Sequence, residues 1–100
     1  MKTEHVTLSS SDKLGLIGSL ATMLTAGIPI LEVVSSLRED SKGAQRKILD
    51  LMSEDLMQGK YINLTFARFP EVFDKVTVNV IKASEEAGTL EIALKDLKQT

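Results

Sequence analysis

Leu14–Leu31 reads LGLIGSLATMLTAGIPIL, an uncharged run of eighteen residues between Lys13 and Glu32. Hydropathy alone makes it a membrane-span candidate, because about eighteen apolar residues is near the lower limit for a helix that crosses a bilayer. The breakers inside it decide otherwise. Gly27 is suited to leaving a helix through a left-handed turn. Pro29 has no amide hydrogen to donate, so it belongs at the start of a new helix rather than inside an old one. Gly15, Gly18, Ser19, Thr22 and Thr25 dilute the run further. A continuous helix therefore ends near Ala26, about fourteen residues from Asp12 and too short to span a bilayer. The run is read as two helices folding back on each other at Gly27-Ile28-Pro29 inside a soluble core.

Composition agrees. A chain of 100 residues with 43% hydrophobic and 26% charged side chains suits one domain with one core. The aromatics are Tyr61, Phe66, Phe69 and Phe73, and tryptophan is absent, so aliphatic packing must dominate. A formal net charge of −2 offers no basic footprint for nucleic acid or an anionic membrane surface. Zero cysteines exclude disulfides, thiolate metal sites and a cysteine nucleophile. The polar stretch Ser9 to Lys13 ahead of the first apolar run is not the pattern of a signal peptide.

Punctuation divides the chain into helices. One of Ser9, Ser10 and Ser11 caps the first, with Leu14, Ile17, Ala21 and Leu24 as its apolar stripe, widened by Leu20 and Met23. A second starts at Pro29 and carries Ile30, Val33, Val34 and Leu37. The third runs from about Ala44 to Gln58, with Ile48, Leu51, Met52 and Leu56 inward and Gly59 as its stop. Asn63 reads as the cap of a short helix from Leu64 to Phe69 that Pro70 ends. Glu71 to Ala87 is the fifth piece, closed by Gly88, and Thr89 caps a sixth that buries Leu90, Ala93, Leu94 and Leu97. One segment is ambiguous. Lys75 to Val80 alternates apolar and polar and is rich in β-branched residues, as a strand would be. Yet Phe73, Val76, Val80, Ala83 and Ala87 also trace one face of a helix.

The order of these pieces resembles a known family. An apolar helix ends in Ala26-Gly27-Ile28-Pro29, Gly59 follows after a charged helix, then Phe69-Pro70-Glu71-Val72-Phe73, then Glu85-Glu86-Ala87-Gly88-Thr89-Leu90. No single motif is specific, but the ordered set, over roughly residues 8 to 98, resembles the type II secretion system F domain. Two departures stand out. The family usually has arginine-glutamine where this chain has Gly18-Ser19, and glycine where it has Ser84. The first bears on any polar contact of helix one with a partner, and the second predicts looser packing, or different packing, of the helix-five neighbourhood around Ser84.

The resemblance implies an all-α fold, an antiparallel six-helix bundle, which makes residues 75 to 81 helical. It implies residues 1–8 as a flexible leader and 9–100 as the domain. The family's domain is the cytoplasmic module of a polytopic platform protein in the bacterial inner membrane, which supports pilus or pseudopilus assembly and protein secretion. It occurs twice in such a protein, and the polar leader favours the N-terminal copy. The partners implied are the cytoplasmic assembly ATPase and other inner-membrane secretion or pilus components. Membrane contact is expected only through other parts of a full-length protein. The alternative reading is a free-standing soluble helical adaptor.

Glu85 matches the family glutamate. It is a candidate for subunit contact, for holding a divalent ion with a neighbour, or for receiving backbone amides from the first turn of the next helix. The plainer reading is a local structural carboxylate at the Gly88-Thr89 junction. Gly27, Pro29, Gly59, Pro70, Phe73 and Gly88 are read as structural motif positions. Val78 and Ile81 on helix five, with Leu16 and Met23 on helix one, lie off the main stripes and are expected to form an apolar patch for a homodimer. Glu86, and the pairs Glu71-Lys75 and Glu91-Lys95, read as solvated faces. His5 has no second histidine or cysteine to join in a metal site. Asn63-Leu64-Thr65 fits a glycosylation acceptor but is read as a cap. Enzyme chemistry is not expected: the serines lack a neighbouring histidine base, there is no glycine-rich phosphate loop, and no cofactor or metal is implied. Lys42, Arg46 and Lys47 are the nearest thing to a nucleic-acid patch, and Asp50, Glu54 and Asp55 follow them, so no nucleic-acid partner is expected.

Overall fold

Ser9 opens the first helix as its type predicts: its hydroxyl oxygen accepts the amide hydrogen of Asp12 at 3.1 Å, capping α1, Ser10–Thr25. A computed structural model gives the structure, which describes residues 3–98. There α1 is followed by α2 Ile30–Glu39, α3 Gly43–Met57, α4 Ile62–Ala67, α5 Lys75–Ala87 and α6 Leu90–Lys98, with no strand among the described residues. The fold is an antiparallel six-helix bundle. Each helix packs on its neighbours in the chain, and α6 closes the ring against α1. Successive reversals put the α1–α2, α3–α4 and α5–α6 connections at one pole. The start of α1 and the end of α6 lie at the other.

The core fills the ring. Leu16, Leu20, Ile48, Met52, Ile81 and Leu94 are buried together, and Phe66 stacks on Phe73 with ring centroids 4.0 Å apart at 7°. None of the described helices is long and apolar enough to cross a membrane.

Several expectations need correction. Leu16 and Ile81, expected on an outward patch, are 1% and 0% exposed, while Leu14, expected inward, is at the surface. The cause is that α1 is flanked by both α6 and α2, so its buried face widens to Leu16, Ile17, Leu20 and Ala21. Helix α5 likewise packs against both α4 and α6, and it buries Thr77, Ile81 and Ser84 rather than the Val76–Val80–Ala83–Ala87 face. It starts at Lys75, not Glu71, because the Asp74 carboxylate accepts the Thr77 amide at 2.8 Å and caps it there. Glu71 therefore lies outside the helix, and its carboxylate meets His5 Nδ1 at 3.1 Å.

Of the expected leader, residues 1–2 lie outside the described residues. Residues 3–8 lie along the body: the Glu4 amide donates to the Arg68 carbonyl at 2.7 Å, Lys47 pairs with the Glu4 carboxylate at 3.1 Å, and Val6 is buried.

The two departures from the family pattern have visible consequences. A Cβ at position 18 would stand 3.1 Å from the Lys98 side chain, which lies across α1 where Gly18 leaves room. Ser84 is buried against α6, and its hydroxyl is turned back to donate to the Ile81 carbonyl at 2.8 Å.

Candidate functional site

Three connections meet at one pole and end their helices in the same way. After α1, the Ile28 amide donates to the Met23 carbonyl at 3.2 Å and the Gly27 amide to Leu24 at 3.0 Å. After α3, Lys60 donates to Asp55 at 2.9 Å and Gly59 to Leu56 at 3.0 Å. After α5, Thr89 donates to Ser84 at 2.8 Å and Gly88 to Glu85 at 3.4 Å. This is the paired closure of a Schellman end. It needs a residue at positive φ, and Gly27, Gly59 and Gly88 supply 89°, 81° and 75°. Pro29 then fixes the chain in an extended turn (φ −58°, ψ 144°) just before α2.

The fourth element at this pole is α4, whose N-terminus carries no side-chain cap of its own. Asn63, expected to be that cap, lies inside the helix and is a donor instead. The cap comes from α5. Glu85 Oε2 accepts the Ile62 amide at 2.9 Å, while Oε1 accepts the Asn63 amide at 3.0 Å and Asn63 Nδ2 at 2.7 Å. Glu85 thus receives backbone amides, but from the helix before its own rather than the one after it. A carboxylate at a helix start satisfies orphan donors and complements the helix dipole. Both its oxygens are engaged.

Between these turns lies a cleft of about 530 Å³. Leu24, Ile28, Leu56 and Leu90 give it an apolar lining, and Lys60 and Glu91 add charge. Among the described residues no group of three or more His, Asp or Glu could hold a metal ion. The cleft lining is mainly apolar, and the Glu85 carboxylate within it is already engaged by the α4 amides.

Of the other motif positions, Phe73 is buried and Pro70 is exposed in the turn between α4 and α5. Val78 and Met23 are half-buried against the core. With Leu16 and Ile81 inside, these four do not form a surface patch.

Sequence reasoning missed one polar centre. Asp55 is buried on α3, where it accepts from the Thr65 hydroxyl at 2.7 Å and from Arg68 at 3.0 Å. The available signal was its phase: Asp55 falls four and seven residues after Leu51 and Ile48, on the helix's inward stripe. Two of the three basic residues weighed as a nucleic-acid patch, Arg46 and Lys47, are engaged with acids, as is the neighbouring Arg38. Arg46 and Arg38 bond Asp50 at 2.9 and 2.8 Å, and Lys47 holds Glu4. The Arg46 hydrogen bond, with that of Arg38, holds the Asp50 carboxyl below the usual carboxylate range.

Residues 16–100 match the family described as type II secretion system (T2SS), protein F. A type 4 fimbrial assembly protein PilC from Pseudomonas putida is 31% identical over 88 residues, covering 87% of this chain and 22% of that protein. Type IV pilus assembly proteins PilC of Pseudomonas aeruginosa and TapC of Aeromonas hydrophila are 29% and 27% identical, each over 72% of this chain. The chain spans about a fifth of the length of these curated relatives, 18 to 22%.

Proposed function

The chain belongs to the type II secretion system protein F family, and on that premise we propose that it is a scaffold domain of an inner-membrane platform protein, lying on the cytoplasmic side. Its work is protein–protein contact during pilus or pseudopilus assembly, including contact with the assembly ATPase. One observation carries the reading. The motif glycines Gly27, Gly59 and Gly88 and the Glu85 cap are spent on shaping a single apolar cleft at one pole. Positions on which the sequence resemblance rests thus serve surface shape, which is what a docking module needs. The relatives named for type IV pilus assembly support the direction of the proposal.

The test is a pulldown of the cytoplasmic assembly ATPase on this chain, repeated with Leu90→Glu, which puts a charge into the cleft. Retention on the parent chain and loss on the variant are expected. Equal capture by both removes the cleft from the proposal, and no capture by either removes the ATPase contact.

A further inference from the structure

The pole that carries the apolar cleft is also where this chain's unpaired acids gather. Glu85 and Glu91 line the cleft, and Glu54 and Glu86 stand exposed in the adjoining last turns of α3 and α5. Glu32 lies in the first turn of α2. Over residues 26–32, 54–62 and 85–91 the bases amount to Lys60 alone, and the remaining acid, Asp55, is neutralised by Arg68. Among the described residues Glu32, Glu54, Glu86 and Glu91 make no ion pair, and Glu85 is held by amides rather than by a cation. The whole chain has 12 bases against 14 acids, so its acidic excess is concentrated here. Tyr61, 64% exposed, lines the same cleft and presents an aromatic face on which a guanidinium or ammonium group can rest.

We infer that the cleft takes a basic amphipathic segment of a partner protein. A few apolar side chains of that segment enter between Leu24, Ile28, Leu56 and Leu90, and flanking arginine or lysine meets the acidic surround and the Tyr61 ring. This rests on the reading of the cleft as a docking surface and adds the chemistry of its occupant. Two properties of one site select that occupant. The apolar lining gains from the release of water only against apolar side chains. The carboxylates repel an acidic segment or an anionic lipid surface and attract a cationic one, and low-dielectric walls focus their field. Unpaired like charges on one surface also repel each other, a cost that a cationic partner removes. Lys60, exposed on the cleft lining, works against a cationic guest and so tunes its affinity.

The test uses the whole chain and two fluorescent peptides with the same three leucines, one flanked by four arginines and the other by four glutamates. Anisotropy should show the basic peptide binding at least about tenfold more tightly at about 0.1 M ionic strength. That preference should largely vanish at about 1 M, where the Debye length falls from about 10 Å to about 3 Å. Glu86→Lys with Glu91→Lys should weaken the basic peptide at least about tenfold, whereas Glu39→Lys with Asp40→Lys, the same charge change at the opposite pole, should leave it within about twofold. Lys60→Glu should tighten it several-fold, a gain that damage to the fold does not produce. If the Glu86 and Glu91 changes prevent folding, the salt series and the Lys60→Glu gain decide the matter. Equal binding of the two peptides, or preference for the acidic one, that Leu90→Glu abolishes overturns the basic occupant and leaves the cleft a docking surface. Basic-peptide binding that ignores Leu90→Glu, weakens equally at both poles, or fails to tighten on a folded Lys60→Glu chain overturns the inference as well. So does failure of both peptides to bind at millimolar concentration, and the ATPase pulldown then decides the docking reading by itself.

Discussion

Glu85 and Asn63 lie 22 residues apart in the chain and are joined twice through one oxygen: Glu85 Oε1 accepts both the backbone amide and the side-chain amide of Asn63, at 3.0 and 2.7 Å. Its other oxygen holds the Ile62 amide. The helix so capped, α4, has six residues, far fewer than the dozen or so at which an isolated helix becomes even marginally stable in water. Its existence depends on tertiary contacts, and the cap is a specific one.

Replacing Glu85 by Ala leaves three donors without their acceptor at a partly buried site, so a loss of about 1 to 3 kcal/mol is expected. Glu85→Gln should cost less, because one oxygen remains while the other becomes an amide that faces the Ile62 donor. Asn63→Ala removes only the side-chain bond. Urea unfolding of the two single variants and the double variant measures the coupling. Additive losses from Glu85→Ala and Asn63→Ala would sink the claim that the pair acts together.

The buried Asp55 is predicted to matter more than any exposed charge. Asp55 and Arg68 are 3% and 20% exposed at their side chains, and Asp55 also accepts from Thr65. Removing one member of such a pair strands the other's charge, so Asp55→Ala or Arg68→Ala should each cost about 3 kcal/mol. The double variant should cost much less than the sum. Arg68 also holds the Glu4 amide through its backbone carbonyl, a bond that side-chain truncation leaves in place. Thermal unfolding of the set checks the coupling, and simple additivity would refute it.

The bundle's outline was legible where glycine and proline stand, because backbone geometry at those positions depends on residue type rather than on distant partners. Gly27, Gly59 and Gly88 end helices where the sequence places the stops. Which face of a helix turns inward is a different matter, since it depends on where the neighbours lie. Helix α5 carries two faces of comparable apolar content, and periodicity favours the Val76–Val80 face. Contact with α4 and α6 buries Ile81 instead, together with the hydroxyl-bearing Thr77 and Ser84. The Glu85 cap was visible only as a candidate residue, because its recipient lies on another helix. The Asp55 centre was hidden for the same reason.

Acid should destabilise the fold in part through two named carboxylates. Asp50 is held below the ordinary carboxylate range first by the Arg46 hydrogen bond and then by that of Arg38. Asp74 is held down first by the Thr77 amide it accepts, then by the Thr77 hydroxyl and the charge of Lys13. Each group therefore loses its proton at lower pH in the folded chain than in the unfolded one. Their stabilising contribution is complete above the unfolded value of about 3.9 and disappears as pH falls through the lower folded values. Asp74→Asn keeps a capping acceptor but cannot titrate, and Asp50→Asn also cannot titrate. Both should flatten the fall in melting temperature between neutral pH and about pH 3. An acid limb identical to that of the parent chain would count against both assignments.

Glycines in this chain should respond to alanine with opposite signs, according to where they stand. Gly15 lies within α1 and is exposed, and a Cβ there would meet nothing within 4 Å. Gly15→Ala should therefore raise stability by about 0.5 to 1 kcal/mol through helix propensity and a less flexible unfolded chain. Gly27 has equally open surroundings but a φ of +89°, so its alanine variant strains the backbone and should lose about 1 to 2 kcal/mol. Gly18 tests the balance between the two. Its Cβ would crowd Lys98 Cδ and Cε at 3.1 and 3.2 Å, but these belong to the far end of a flexible side chain that has room to move. The gain in propensity should therefore persist in reduced form, between zero and about 1 kcal/mol. Chemical denaturation of the three variants settles the order Gly15→Ala, Gly18→Ala, Gly27→Ala from most to least stable. A destabilised Gly18→Ala would mean that the Lys98 stem is fixed across α1 and contributes to the α1–α6 contact rather than merely occupying the space that glycine leaves.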